Sequence, residues 1–109
     1  MKNLLNQDEV FIARLDAELC RRDIRSELKY DGVWKLYVYH TDKVLHPFMM
    51  VGVGKVRYSP TPSPHEFLTE FDLSDIGEVD ILADFIVDKR MVVENNMENL
   101  LMERQHGNR

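Results

Sequence analysis

Hydrophobic positions along the chain change their period twice. Between Gln7 and Arg22, the residues Phe11, Ile12, Leu15 and Leu19 recur at the spacing of one helix face, while Asp8, Arg14, Glu18 and Arg21 fall elsewhere. This spacing predicts an amphipathic helix. Asn6 stands at the capping position with Glu9 three residues on, and Arg21 and Arg22 oppose the carbonyl end of the helix dipole. From Ile24 the period drops to two. "IRSELKY" (24–30) and "VWKLYVYH" (33–40) alternate, and Asp31-Gly32 between them is a hairpin signal. After a turn at Thr41–Asp42–Lys43, "PFMMVGVGKVRY" reads as a third strand running to Tyr58, with Pro47 disturbing its start. Three strands joined by short turns predict an antiparallel meander.

Alternation separates two faces of that sheet. Ile24, Leu28, Tyr30, Trp34, Leu36 and Val38 form the face expected to pack on helices. Arg25, Glu27, Lys29, Lys35, Tyr37 and Tyr39 form the face expected to meet water. In the third strand, Lys55 and Arg57 share a side with Met49, Val51 and Val53. "SPTPSP" (59–64) reads as a proline-stiffened linker. Ser63, Pro64 and Glu66 then make a helix start, with Phe67, Leu68 and Phe71 on a short helix. A longer helix follows from about Asp75 to Arg104, with Asn95–Asn96 as a place where it could fold back. Unbroken, it would reach ~45 Å and outrun the sheet. The overhang, with Val93, Met97, Leu100 and Leu101, would then need a partner, and a symmetric homodimer through this C-terminal helix is the commonest solution. The fold class expected is α+β: an N-terminal helix, a three-stranded antiparallel meander and C-terminal helices on one sheet face. Residues 1–109 are read as one compact domain with a frayed tail at 105–109.

Composition narrows the classes of function. The chain is 44% apolar and 30% charged, as in ordinary globular proteins. A single cysteine, Cys20, excludes an internal disulfide and a cysteine-based zinc site. No run approaches the ~18 apolar residues of a membrane span, and "MKNLLNQDEVF" has no signal-peptide core, so a cytoplasmic location without membrane contact is expected. The net charge of −5 is unevenly divided, with +2 over residues 1–58 and −7 over 59–109. From Ser59 to Asp88 there are eight carboxylates and no lysine or arginine. Such polarity concerns partners and association.

Two surfaces carry candidate chemistry. Asp80, Asp84 and Asp88 repeat at i, i+4 and i+8, a helical stripe of like charge that weakens a helix by roughly 0.2–0.5 kcal/mol per pair. Helix-end electrostatics account for Glu66, Asp75 and Glu78 but not for Asp84 or Asp88. The ordinary reading is a solvated polar stripe. The functional one is an acidic surface, with Glu70 and Asp72, that engages a basic protein groove. The second surface interleaves Lys29, Lys35, Tyr37, Tyr39, Lys55 and Arg57, a cation–aromatic mixture suited to single-stranded nucleic acid.

Other signals fail on inspection. "VGVGK" (51–55) lacks the first P-loop glycine, because residue 49 is Met, and Val56 stands where Ser or Thr is needed. No histidine lies at metal-ligand spacing from another, and no nucleophile motif occurs. The helix–strand–strand–strand–helix order is similar to that of the double-stranded-RNA-binding domain. That family's phosphate-clamping lysines have no counterpart, since Pro64, His65 and Glu66 stand there and no lysine follows before Lys89.

The sequence thus points to a small acidic, non-enzymatic binding or inhibitor protein with a basic partner and neither cofactor nor metal. In charge design it resembles anti-CRISPR and nuclease-immunity proteins. A nucleic-acid-binding module on the sheet face is the alternative.

Overall fold

The computed structural model describes residues 7–52, 54–62 and 67–107. The chain forms α1 (Gln7–Arg21), five strands and α2 (Val79–Gly107), an α+β arrangement in which both helices pack against one face of a single antiparallel sheet. The strands are β1 (Ser26–Tyr30), β2 (Trp34–Val38), β3 (Met49–Val51), β4 (Lys55–Tyr58) and β5 (Thr69–Asp72), and they lie in chain order.

α1 forms as its periodicity predicts: Ile12, Leu15 and Leu19 are buried against the sheet. It ends in a paired-bond stop. The Ile24 amide reaches back to the Leu19 carbonyl (2.9 Å) and the Asp23 amide to that of Cys20 (3.1 Å), with Asp23 at φ +63°. Ile24 and Leu19 are both buried, the hydrophobic contact that accompanies this motif. Asn6 lies outside the described residues.

The meander has five strands, not three. The expected third strand is a hairpin: β3 and β4 pair through Met49↔Tyr58, Met50↔Arg57 and Val51↔Val56. Gly54 takes φ +76° and the Gly52 amide bonds to the Lys55 carbonyl (2.9 Å), so the glycines build a reversal. The reversal also changes side. Val56 joins Val51 in the core, while Lys55 and Arg57 turn to the opposite face from Met49 and Val51.

The expected short helix is also corrected. Thr69–Asp72 is β5, paired through Lys55↔Asp72, Val56↔Phe71, Arg57↔Glu70 and Tyr58↔Thr69. "TEFD" alternates, so Phe71 faces α2 while Glu70 and Asp72 meet the cations of β4; cross-strand pairing prevails over helix propensity. The capping sequence 63–66 lies outside the described residues. A 3-10 turn (Leu73–Asp75) and Gly77 at φ +77° delay the long helix to Val79. It then runs unbroken through Asn95 and Asn96, and the Asn96 side chain donates to the Pro60 carbonyl (2.9 Å).

The core joins Ile12, Leu15 and Leu19 to Leu36, Val38, Met49, Val51 and Val56 below, and to Leu82, Ala83, Ile86 and Val93 of α2. Burying an aliphatic side chain of this size contributes roughly 1.5–3 kcal/mol. The face expected to pack on helices does so only in part. Leu36 and Val38 are buried, but Leu28 and Tyr30 at the β1 end are exposed, with the Tyr30 ring 5.1 Å from that of Trp34.

Candidate functional site

α2 sorts its charges by sign. Its apolar stripe of Leu82, Ala83, Ile86 and Val93 is held on the core, which leaves Asp80, Asp84, Asp88, Glu94 and Glu98 exposed. The two cations near mid-helix are turned to the body. Lys89 Nζ lies over the rings of Phe85 (5.3 Å) and Tyr58 (5.6 Å), and Arg90 Nε donates to the His40 carbonyl (2.9 Å). Ile81, Met91 and Val92 are exposed between the acids. The outward face of α2 is therefore both acidic and partly apolar.

The predicted stripe divides on inspection. Asp84 accepts from Arg22 Nη1 at 2.7 Å, a pair joining the start of α2 to the end of α1. The same guanidinium binds Glu18 through Nε (2.8 Å), and Arg21 adds a second pair to Glu18. Hydrogen bonds from Arg22, then Arg21, hold the Glu18 carboxyl below the ordinary carboxylate range, and Glu18 and Asp84 together raise Arg22. Asp84 thus has a structural partner that its own helix did not reveal. Asp80 and Asp88 have no ion pair among the described residues. Asp80 borders a groove of about 630 Å³ between α1 and α2, walled by Val10, Phe11 and Val79 with Arg14 opposite.

Glu70 and Asp72 are elsewhere. Both lie on the open face of the sheet, away from α2, and both are engaged. Arg57 Nε donates to Glu70 (2.9 Å), and Lys55 Nζ meets Asp72 (2.5 Å) and Glu70 (3.9 Å). Two candidate surfaces, one acidic and one basic, thereby meet along β4 and β5. Bonding to Asp72 raises the Lys55 ammonium above its ordinary value.

The six residues of the basic alternative do share that open face. Register places Lys29 opposite Lys35, and Tyr37, Met50, Arg57 and Glu70 in one row. Little of the set is free. Tyr39 is only 4% exposed: Arg25 lies 4.0 Å above its ring and also donates to the Asp42 (3.2 Å) and Val44 (3.0 Å) carbonyls and to Glu27 (2.8 Å). Lys29 Nζ sits over Tyr37 (5.3 Å). Lys35 has no ion pair among the described residues.

No protein-family model, curated protein or solved structure matches this chain significantly. Among the described residues no group of His, Cys, Asp and Glu could hold a metal ion, and no helix is long and apolar enough to cross a membrane.

Sequence reasoning missed Glu94, Glu98, Ile81, Met91 and Val92 as parts of this face. Their signal was present: Met91 is three residues from Asp88, and Glu98 four from Glu94. It becomes readable only once the helix is known to continue through Asn95–Asn96.

Past Met97, which still packs on the core cluster, α2 carries Leu100, Leu101 and Met102 more than half exposed. Its 29 residues measure roughly 43 Å, and the molecule extends 65 × 26 × 23 Å. The overhang expected from an unbroken helix is therefore present, whatever covers it.

Proposed function

We propose that the protein is a non-enzymatic binding protein whose α2 outer face engages a basic protein surface. The sorting of charge on α2 supports this reading most directly: both mid-helix cations point into the body, while Asp80, Asp88, Glu94 and Glu98 point out with Ile81, Met91 and Val92 among them. Carboxylates of one sign steer a cationic partner, and the interspersed apolar side chains give it area to bury. In this design the partner is a cytoplasmic basic protein, such as one that handles nucleic acid, and binding inhibits it by occupying the groove.

The test is capture from the source cell by wild type and by an Asp80→Asn/Asp88→Asn variant. The wild type is expected to retain a basic protein that elutes as salt rises from ~0.1 to ~1 M, where the Debye length shrinks from about 10 to 3 Å. The variant is expected to lose it with an unchanged circular dichroism spectrum. A partner held equally by both overturns the proposal. The nucleic-acid alternative has less support, because Lys55, Arg57 and Tyr39 are already occupied within the fold. It requires retention on a polyanion column at low salt that disappears in Lys35→Ala/Tyr37→Ala.

A further inference from the structure

β1 terminates the sheet, and among the described residues no backbone group of Ser26–Tyr30 bonds on its outer side. The ladder to β2 fixes which groups face outward. The Tyr39 amide donates to the Arg25 carbonyl (3.0 Å) and the Asp31 amide to the Val33 carbonyl (3.0 Å), while Glu27 pairs with Tyr37 and Lys29 with Lys35. Glu27 and Lys29 therefore direct their N–H and C=O toward β2, and Ser26, Leu28 and Tyr30 direct theirs outward. An open edge of this kind is a template for another strand.

Side-chain charge says which strand. Across β2, Lys29 faces Lys35, a like charge, and its acid neighbour is Glu27 of its own strand at 3.8 Å. Now place a second β1 antiparallel to the first about a two-fold axis at Leu28. Ser26 then faces Tyr30 of the second copy, Leu28 faces Leu28, and these outward-directed residues make the hydrogen-bonded pairs. Glu27 and Lys29 face each other twice, at the non-hydrogen-bonded positions where side chains approach most closely. A slip of two residues either way sets Glu27 against Glu27 or Lys29 against Lys29, so charge selects the register. The pairing also covers Leu28 and Tyr30, which are 38% and 63% exposed.

The other edge behaves differently. Symmetric pairing of β5 about Phe71 would set Glu70 against Asp72, acid on acid. The flank of α1 above β1 leaves room for a neighbour. Cys20 and Asp16 border a hollow of about 300 Å³ beside Ser26, and Ala13 and Ala17, at helical spacing from Cys20, are small and exposed.

We propose that the protein forms a two-fold dimer through β1, joining two sheets into one continuous sheet. Sedimentation of the full chain at about 0.1 mM, a concentration suited to micromolar association, should show a dimer. Lys29→Glu and Glu27→Lys should each weaken it about tenfold through two like-charge contacts. An equimolar mixture of the two variants should associate again, because every contact in the mixed pair is then between opposite charges. Leu28→Pro removes an N–H that points outward and spares the β1–β2 ladder, so it should give a folded monomer. Leu100→Glu/Leu101→Glu should leave the dimer intact. A monomeric wild type, a mixture that fails to associate, or a dimer lost in the Leu100/Leu101 variant would each overturn the proposal, the last by moving the contact to α2.

Discussion

Asp23 holds a backbone conformation that a side chain pays to adopt. Its φ of +63° closes the end of α1, and its carboxylate sits where the helix dipole is negative. Asp23→Gly removes both penalties, and the thermal or urea midpoint should rise by about 0.5–1 kcal/mol of stability. His40 is the converse case, a buried group on which the fold places a cost. It is 5% exposed, its Nδ1 has no hydrogen-bond partner among the described residues, its carbonyl accepts from Arg90, and the charges of Arg90 and Glu94 reach its ring through space. Burial lowers its pKa from the ordinary 6.5, with Arg90 adding to the shift and Glu94 opposing it. The unfolded chain therefore binds the proton first, so stability present above about pH 6.5 is lost as pH falls toward the folded value. Urea midpoints should be lower at pH 5.5 than at pH 7.5, and His40→Leu should flatten that slope. Glu18 and Glu27, held down by arginines, add their losses only below their ordinary value of 4.5. At this scale Asp31-Gly32 was readable because a turn is a local event. Asp84 was not, because its partner Arg22 lies 62 residues away.

Elements were legible where one period dominated. α1 and β2 follow their hydrophobic spacing closely, and β1 forms in its expected place although Leu28 and Tyr30 stay exposed. β3 and β4 read as one strand and β5 as a helix, for a shared reason: each is three or four residues long, too short for a period to establish itself. Their pairing is decided by neighbours instead. Phe71 meets Tyr58 (6.2 Å) and Phe85 (5.3 Å) edge-on, and Tyr58 meets Phe85 (5.4 Å), so three rings tie β4, β5 and α2 together. Phe71→Ala should cost about 2–3 kcal/mol in equilibrium unfolding. Phe71→Leu, which keeps the bulk but loses the edge contacts, should cost about half as much. Equal stability of Phe71→Ala and wild type would show that β5 is held by its ion pairs instead.

At the scale of the molecule, the sequence revealed an acidic second half but not how its charge would be distributed. Glu70 and Asp72 are spent on Arg57 and Lys55, and Asp84 on Arg22, whereas Asp80 and Asp88 remain available. A helical wheel shows which residues share a stripe; it cannot show which of them another element has claimed. The arrangement of strands in chain order has a further consequence, for synthesis. Each strand can find its neighbour as it leaves the ribosome, since every pairing joins consecutive segments. Leu82, Ala83, Ile86 and Val93, which close the roof of the core, are translated only after the whole sheet. Until then α1 alone covers the nascent sheet and part of its apolar face stays open, so the interval between β5 and the middle of α2 is when a chaperone would have most to hold.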